Sequence, residues 1–389
     1  MSDPIQMKNA EPGKTSPPEK AVWPRGAALG GVARSLAIPV LAVFTAMIVG
    51  GLVILAAGGD PFAAYLGMFE GSFGSLQALS ETTVWATPYI FAGLAVALAF
   101  KGGLFNIGVE GQLTLGAVAA ALVGYGLPIL VGGPIPAVIH LPLTLAAGML
   151  AGGVWAAIPG WLKARYGGHE VINTIMMNYI ALNLTSFLLN GPMKDPNPNN
   201  VLARTPLIAD GARMTPLFPG FRLHWGFILA LLVALLIWWV LWKTNFGFEI
   251  RTAGTNSDAA KYAGINVPRT IILTMLFSGM LAGLAGAVEV SALNYRHELG
   301  FSSGYGFDAI AIALLGKTHP FGVVAASILF GAMRNGATRM QFLTQIPTDI
   351  ISVIQALILL FVAAEVIIRF IYRIRSKDGR AVMTRGWGK

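Results

Sequence analysis

Apolar runs of about 20 residues, separated by short polar stretches, occupy most of the chain. Such runs are long enough to cross a bilayer as helices. The pattern predicts an all-α fold, a polytopic membrane helix bundle of about ten transmembrane helices, some of them broken or re-entrant. The predicted segments lie near 35–57, 84–100, 104–126, 136–162, 171–190, 225–242, 269–290, 306–316, 320–337 and 348–371.

Two of these segments, 84–100 and 306–316, are short for a membrane span. A helix rises about 1.5 Å per residue, so 306–316 reaches only about half-way across the bilayer. We therefore expect a broken helix or a re-entrant piece there. Ten crossings place both termini on one side, whereas adding or removing this segment would separate them.

The polar ends and one long loop complete the predicted organisation. Residues 1–34 are rich in Pro, Lys and Glu and are predicted to be a disordered basic cytoplasmic tail. Residues 35–371 form the predicted transmembrane domain, and 372–389 a basic cytoplasmic tail. The outer loop 191–224 contains six prolines and mixed charge, which suits an exposed docking or gating segment.

The inner loop 243–268 differs from the other connections because it is polar and yet compatible with a helix. A short helix is predicted within it. Thr255, Asn256 or Ser257 could serve as its N-cap, and Gly264 is a natural C-terminal stop. We interpret this segment as a helix that lies on the cytoplasmic face.

The composition agrees with a membrane protein. Charged residues make up 12% of the chain and the mean hydropathy is +0.66, whereas a soluble domain carries about 25% charged residues. The chain has no cysteine, and its five histidines lie far apart. Disulfides and thiolate metal sites are therefore excluded, and no metal or cofactor is predicted.

The net charge of +9 does not indicate a nucleic-acid-binding patch. The basic residues lie between the apolar runs and in a C-terminal cluster, so we expect no nucleic-acid partner. With the N-terminus inside, 20 of the 27 basic residues fall on the inner side. This asymmetry predicts a multi-pass protein of the bacterial inner (plasma) membrane with both termini cytoplasmic.

Polar residues inside the apolar runs are the candidates for chemistry. Ionisable groups at membrane depth cost about 2.5–3.5 kcal/mol on insertion scales, so they face the bundle interior or a water-filled path. The predicted pathway residues are Phe105, Asn106, Glu110, Gln112, Asn173, Asn178, Glu289, Asn294 and Asp308. Glycines beside the first four can let a helix break and expose backbone groups to a solute.

Each group also has a structural interpretation. Glu110 could lie wet in an interfacial turn, and the asparagines near 173–183 could be hydrogen-bond partners between helices. Glu289 and Asp308 could pair with Arg296 or cap a helix.

Two glycine patterns bear on helix packing and on nucleotide binding. The pairs Gly148–Gly152 and Gly279–Gly283 predict close-packed helix seams. Gly316-Lys317-Thr318 looks like the end of a phosphate-binding loop, but Ala311 stands where that loop needs glycine. We therefore expect no ATP hydrolysis by this chain, and no enzyme activity.

Three parts of the sequence resemble a known family. They are GLFNIGVEGQLTLG at 103–116, HEVINTIMMNYIA at 169–181, and RTAGTNSDAAKYAGI at 251–265, continued by FDAIAIALLGKTHPFG at 307–322. These segments resemble the permease subunits of bacterial nucleoside and simple-sugar ABC importers, in the superfamily of ribose and branched-chain amino-acid permeases. The resemblance covers roughly residues 35–370.

The resemblance implies a transport subunit that moves a nucleoside or related small polar solute inward by alternating access. It implies an internal pseudo-repeat, although none is visible in the sequence. It also implies ABC ATPase subunits, a second permease subunit (identical or paralogous), and a periplasmic or lipid-anchored binding protein delivering to loop 191–224. The implied ATPase-coupling residues are Gly254, Asn256, Ala259, Ala260, Ala263 and Gly264.

Other function classes remain open from sequence. An ABC permease for simple sugars or another small solute has the same architecture. An ion-coupled secondary transporter would need membrane carboxylates, for which only Glu110, Glu289 and Asp308 qualify. A non-transporting membrane scaffold or receptor would need no polar interior. Segment 257–262 could equally be a plain amphipathic surface helix.

Overall fold

The computed structural model describes residues 27–197, 201–302 and 304–373. These residues form fourteen α-helices and no β-strand, which confirms the predicted all-α bundle. The helices are α1 (Ala27–Ala56), α2 (Pro61–Phe73), α3 (Leu76–Lys101), α4 (Val109–Val131), α5 (Ala137–Tyr166), α6 (Glu170–Asn190), α7 (Trp225–Lys243), α8 (Asn245–Thr255), α9 (Ser257–Tyr262), α10 (Val267–Glu289), α11 (Tyr305–Leu315), α12 (Pro320–Thr344), α13 (Asp349–Ala363) and α14 (Glu365–Ile371).

The structure describes only part of the two chain ends. Most of the predicted tails 1–34 and 372–389 lies outside the described residues. Helix α1 begins at Ala27, so its first residues overlap the end of the predicted tail. The part of α1 up to Ala37 is a unit of its own, and the compact unit that carries the site begins at Ile38.

The number of membrane spans is lower than ten by length and composition. Seven described helices are long and apolar enough to cross a membrane, or eight if α13 and α14, bent by 86°, form one span. Helix α12 has 25 residues, but Arg334 and Arg339 lie in its second half. Helix α11 has 11 residues, in agreement with the predicted half-span. The predicted count of about ten is therefore not confirmed.

Two helices before residue 102 extend beyond the predicted segments. Helix α2 was not predicted, and the short segment 84–100 is the last part of the 26-residue α3. Both helices begin at side-chain caps, because Asp60 accepts a hydrogen bond from the Phe62 amide and Ser75 from the Ala78 amide. The polar residues of α3 between 80 and 83 concealed its start in the hydropathy pattern.

Asn335 of α12 holds the junction between α2 and α3. Its Nδ2 donates to the Gly71 carbonyl (2.9 Å), the Ala78 carbonyl (3.0 Å) and the Thr82 hydroxyl (3.1 Å). The half-buried Asn335 amide gives a donor to the Gly71 carbonyl, which is one of the last carbonyls of α2 and has no amide partner within that helix, and it ties this end to the first turns of α3. This explains a polar residue in the middle of α12.

We expect Asn335→Ala to destabilise the protein by about 1–3 kcal/mol, because it leaves two carbonyls without this donor. Thermal unfolding in detergent measures the effect. Gln341→Ala is the matched control, since Gln341 is an exposed amide on the same helix. Equal unfolding temperatures for the two variants would contradict the role of Asn335.

Glycine seams hold α4, α5 and α10 together. A Cβ added to Gly152 would meet the backbone of Gly279 and Gly283, and one added to Gly283 would meet the Gly148 carbonyl. A Cβ on Gly116 of α4 would also meet Gly283. The two predicted seams are thus confirmed, and they form one contact in which the helix backbones touch.

The bundle has two opposite ends, which helix α7 connects. Loop 191–224 precedes α7, and α8 and α9 follow it. We call these the 191–224 end and the α8–α9 end. Helix α3 finishes at the α8–α9 end, where Gly254 of α8 touches the backbone of Gly103.

Candidate functional site

Asn106 and Gln112 form a fully buried amide pair. The two side chains exchange hydrogen bonds of 2.9 Å in both directions. Asn106 Nδ2 also donates to the Ser278 hydroxyl (2.8 Å), which donates to the Ala95 carbonyl (2.7 Å). These bonds join the start of α4 to α3 and α10. The polar groups are therefore engaged with the protein rather than facing an open path.

Asn178 connects α6 to the same region. Its Oδ1 accepts a hydrogen bond from the Gly111 amide (2.9 Å), and its Nδ2 donates to the Ile107 carbonyl (2.8 Å). This is the interhelical partnership that the sequence left open as an alternative. Asn173 is half-buried nearer the start of α6. Phe105 stacks in a tilted contact on Phe100, with ring centroids 4.8 Å apart.

Glu110 and Asp308 attach the short helix α11 to its neighbours. Glu110 is 6% exposed, and its Oε2 accepts a hydrogen bond from the Gly306 amide (2.7 Å) in the first turn of α11. A helix N-terminus favours such a carboxylate. Asp308 accepts a hydrogen bond from the Tyr89 hydroxyl (2.7 Å) of α3. Glu110 is thus buried, unlike in the interfacial-turn alternative, and both acids hold α11 in place.

A cavity of about 390 Å³ opens at the 191–224 end. Its size falls within the range of ligand sites. It is lined by Val84, Trp85, Arg222, Glu289, Leu293, Asn294, Glu298, Leu299, Gly300, Phe301 and Tyr305. Of the predicted pathway residues, only Glu289 and Asn294 line this cavity. Trp85 and Arg222 were missed as a pair, because no spacing in the sequence shows that α3 and the loop before α7 meet.

The backbone beside the cavity has a rare conformation. Helix α10 continues into a π-helical turn, Val290–Asn294, closed by a hydrogen bond from the Tyr295 amide to the Val290 carbonyl (2.8 Å). A π-turn adds one residue per turn and is frequent at functional sites. The wider turn explains why Glu289 and Asn294, five residues apart, line one cavity.

Loop 191–224 lies against the segment that follows the π-turn. The Thr205 amide donates to the His297 carbonyl (2.9 Å), and the His297 amide donates to the Thr205 hydroxyl (3.0 Å). The Ile208 amide donates to the Tyr295 carbonyl (2.8 Å). The loop predicted to be exposed is therefore partly docked, and it braces the residues that form one wall of the cavity.

The contact between loop 191–224 and the segment around His297 should become less stable in acid, because His297 is a buried histidine. Its side chain is 1% exposed, and burial lowers its pKa from 6.5 to about 3. Between these values the unfolded chain binds a proton that the folded chain does not, so stability falls as the pH falls. We expect the unfolding temperature to drop from pH 7 to pH 5 by more in the wild type than in His297→Phe. Up to about 1.4 kcal/mol per pH unit is available.

The control for this scan is His169→Phe, a change at an exposed histidine. It should retain the wild-type pH profile. If His297→Phe also retained that profile, the buried imidazole would not be the acid-sensitive group.

Helix α9 forms an exposed surface at the α8–α9 end. Asn256 caps it, because its Oδ1 accepts from the Asp258 and Ala259 amides (both 3.0 Å), and Gly264 follows it with a φ of 81°. The predicted helix, N-cap and stop are confirmed. Tyr262 is 98% exposed, the largest exposed apolar ring of this segment.

The six predicted coupling residues divide between two faces. Asn256, Ala259, Ala263 and Gly264 are exposed on or beside α9. Ala260 is 0% exposed and packs toward the bundle. Gly254 is also directed inward, because an added Cβ would meet the backbone of residues 101–103. The sequence does not show which side of α9 faces the bundle, so the buried and exposed residues could not be distinguished from it.

The comparisons with known proteins agree with this architecture. A family model described as "Branched-chain amino acid transport system / permease component" matches residues 78–363. The chain belongs to this permease family. The match runs from α3 to α13 and includes both the cavity and α9. No solved structure matches the permease significantly.

Several curated permeases are similar along most of their length. The guanosine ABC transporter permease protein NupP of Bacillus subtilis is 41% identical over 345 residues, which cover 88% of this chain and 97% of the relative. The glucose ABC transporter permease protein TsgB13 of Haloferax volcanii is 37% identical, covering 83% and 86%. The nucleoside ABC transporter permease protein NupB of Lactococcus lactis is 35% identical, covering 86% and 92%.

Proposed function

We propose that this chain is the permease subunit of an ATP-driven importer that moves a nucleoside, or another small hydroxyl-rich solute, inward by alternating access. The similarity to NupP over nearly the whole chain is the observation that carries this proposal. Guanosine and glucose, the solutes in the names of two relatives, both present adjacent hydroxyl groups. A simple-sugar permease is the second candidate, and the relative from Haloferax supports it.

The proposed assembly places one partner at each end of the bundle. ABC ATPase subunits dock on the exposed face of α9, where Ala259 and Ala263 permit a close approach and Tyr262 offers a ring. A periplasmic or lipid-anchored binding protein delivers solute to the 191–224 end. A second permease subunit, identical or paralogous, completes the path in the inner membrane, with both termini cytoplasmic.

The nine predicted pathway residues take two proposed roles. Glu289 and Asn294, in the cavity, contact the solute directly. The remaining residues hold the helices that form the path: Phe105, Asn106, Glu110, Gln112, Asn173, Asn178 and Asp308. For most of them, this division is supported by hydrogen bonds to other protein groups.

A chain of contacts offers a route from α9 to the cavity. Helix α8 precedes α9 and touches the loop at Gly103. That loop leads to Glu110, whose carboxylate binds the Gly306 amide beside Tyr305 of the cavity wall. Because these parts are packed or hydrogen-bonded in sequence, a displacement of α8 and α9 reaches the cavity through them.

Uptake in cells tests this function against the ion-coupled alternative. We expect labelled guanosine uptake to depend on this gene and to stop when ATP is depleted, but to persist when a protonophore collapses the proton gradient. Unlabelled nucleosides should compete more strongly than glucose. Uptake that stops with the protonophore while ATP is maintained would favour a secondary transporter. Unchanged uptake after deletion of the gene would favour a non-transporting protein.

A further inference from the structure

Glu289 is a buried carboxylate in the wall of the cavity. Its side chain is 8% exposed and lines the cavity. Within the described ranges, no hydrogen bond or ion pair reaches its oxygens, and Arg296 pairs with Glu298 instead (4.0 Å). Burying a charged carboxylate without hydrogen bonds is unfavourable. The cavity therefore offers a strong acceptor to which no described residue donates.

Arg222 does not satisfy this carboxylate. It lines the same cavity and acts on Glu289 electrostatically, but its guanidinium is bonded to Glu81 of α3 (3.1 Å). Arg222 thus moderates the negative charge of the cavity, while the hydrogen-bonding capacity of Glu289 stays available. An ionised carboxylate accepts at two oxygens and donates nothing. Its complement is a group with two adjacent donors, and because Arg222 already offsets part of the charge, that group can be neutral.

An aromatic wall lies beside this acceptor. Trp85 lines the cavity, and the Arg334 guanidinium lies 6.0 Å from the centroid of the Trp85 ring. Flat indole rings pack against the apolar faces of sugars and bases. Asn294, in the π-turn, adds an amide NH₂ group with two N–H donors and a carbonyl acceptor to the same cavity.

We propose that this cavity binds the vicinal diol of the transported solute, with the two Glu289 oxygens accepting from two adjacent hydroxyls and Trp85 covering the ring. This proposal rests on the proposed function, and it assigns the selectivity of the importer to the Glu289 carboxylate. The cavity selects neutral hydroxylated solutes, because a phosphorylated solute would bring a second negative charge beside Glu289. Binding in this cavity is transient, since the solute must leave it to cross the membrane.

The test combines a change in the protein with a change in the solute. The complete importer is reconstituted in proteoliposomes, and ATP-driven uptake of guanosine and of 2′,3′-dideoxyguanosine is measured for wild type and Glu289→Gln. We expect Glu289→Gln to lower kcat/KM for guanosine by about 10- to 100-fold. The value for the dideoxy compound should change by less than about threefold. Selection by the binding protein cancels, because each solute is compared with itself.

Two further variants sharpen the result. Glu70→Gln, at an exposed carboxylate outside the cavity, should leave both solutes unaffected. Trp85→Ala should lower both uptake rates alike, because ring packing does not need the diol. Should Glu289→Gln fail to assemble with the ATPase, Glu289→Asp supports the same comparison.

The possible outcomes distinguish failure of the proposed diol site from failure of the proposed function. Equal losses for both solutes in the Glu289 variant would overturn the diol site and assign Glu289 a structural role. Equal uptake by wild type and variant would overturn it as well. Failure of the wild-type importer to move either solute with ATP would instead overturn the proposed function, and the site with it.

Discussion

Tyr262→Ala should reduce ATP-driven uptake at least about tenfold while leaving the permease folded in the membrane. Tyr262 is 98% exposed on α9, so the isolated chain gains little from its ring. Buried aromatic anchors at protein interfaces cost about 2 kcal/mol or more when truncated. The loss should therefore appear as a weaker complex with the ATPase. Copurification of the ATPase subunits and uptake in proteoliposomes measure the two effects.

The matched control is Tyr179→Ala, a change at an exposed tyrosine of α6. It should retain both the ATPase complex and uptake. Wild-type uptake by the Tyr262 variant would show that α9 is a plain surface helix and would remove it from the coupling mechanism.

Gly283→Val should prevent assembly of a stable permease. A Cβ at this position would meet the Gly148 carbonyl and the backbone of Gly152, which cannot move aside as a flexible side chain can. Overpacking of this kind costs about 3 kcal/mol or more when backbones must separate. We expect most of the protein to be degraded or aggregated, as measured by membrane abundance and by gel filtration in detergent.

Gly126→Val serves as the control because it changes the same residue type in α4 at an open position. An added Cβ there would meet only the end of Leu122, at 3.8 Å. This variant should accumulate at the wild-type level. Normal abundance of Gly283→Val would contradict the close contact of α4, α5 and α10.

The sequence predicted those features that depend on local composition. Apolar runs located most of the long helices, and the capping preference of asparagine located α9 within one residue of its start. The two glycine seams followed from the spacing of small residues. The half-span of α11 followed from its length. Each of these predictions needs only residues that are neighbours in the chain.

Features that depend on distant contacts could not be predicted in the same way. Helix α2 has only 13 residues and the start of α3 is polar, so neither stands out in a hydropathy pattern, and Asn335 holds their junction from more than 250 residues away. Asn106 and Gln112 satisfy each other, so their burial did not indicate an open path. The cavity joins Trp85, Arg222 and Glu289 from three separate segments.

The direction of side chains on α9 shows the same limit at short range. Ala259 and Ala260 are adjacent and chemically identical, but the first is exposed and the second is fully buried. Only the packing of α9 on the bundle distinguishes them. A substitution at Ala260 would therefore perturb folding, whereas substitutions at Ala259, Tyr262 or Ala263 test docking.

Coupling to a separate ATPase is the central claim, and transport by purified components measures it most directly. Liposomes are prepared with the permease alone or together with its ATPase subunits. ATP is supplied on the side of the α8–α9 end, the binding protein is supplied on the side of the 191–224 end, and guanosine uptake is followed. We predict ATP-dependent uptake only when the ATPase subunits are present. Uptake at the same rate by the permease alone would contradict this account.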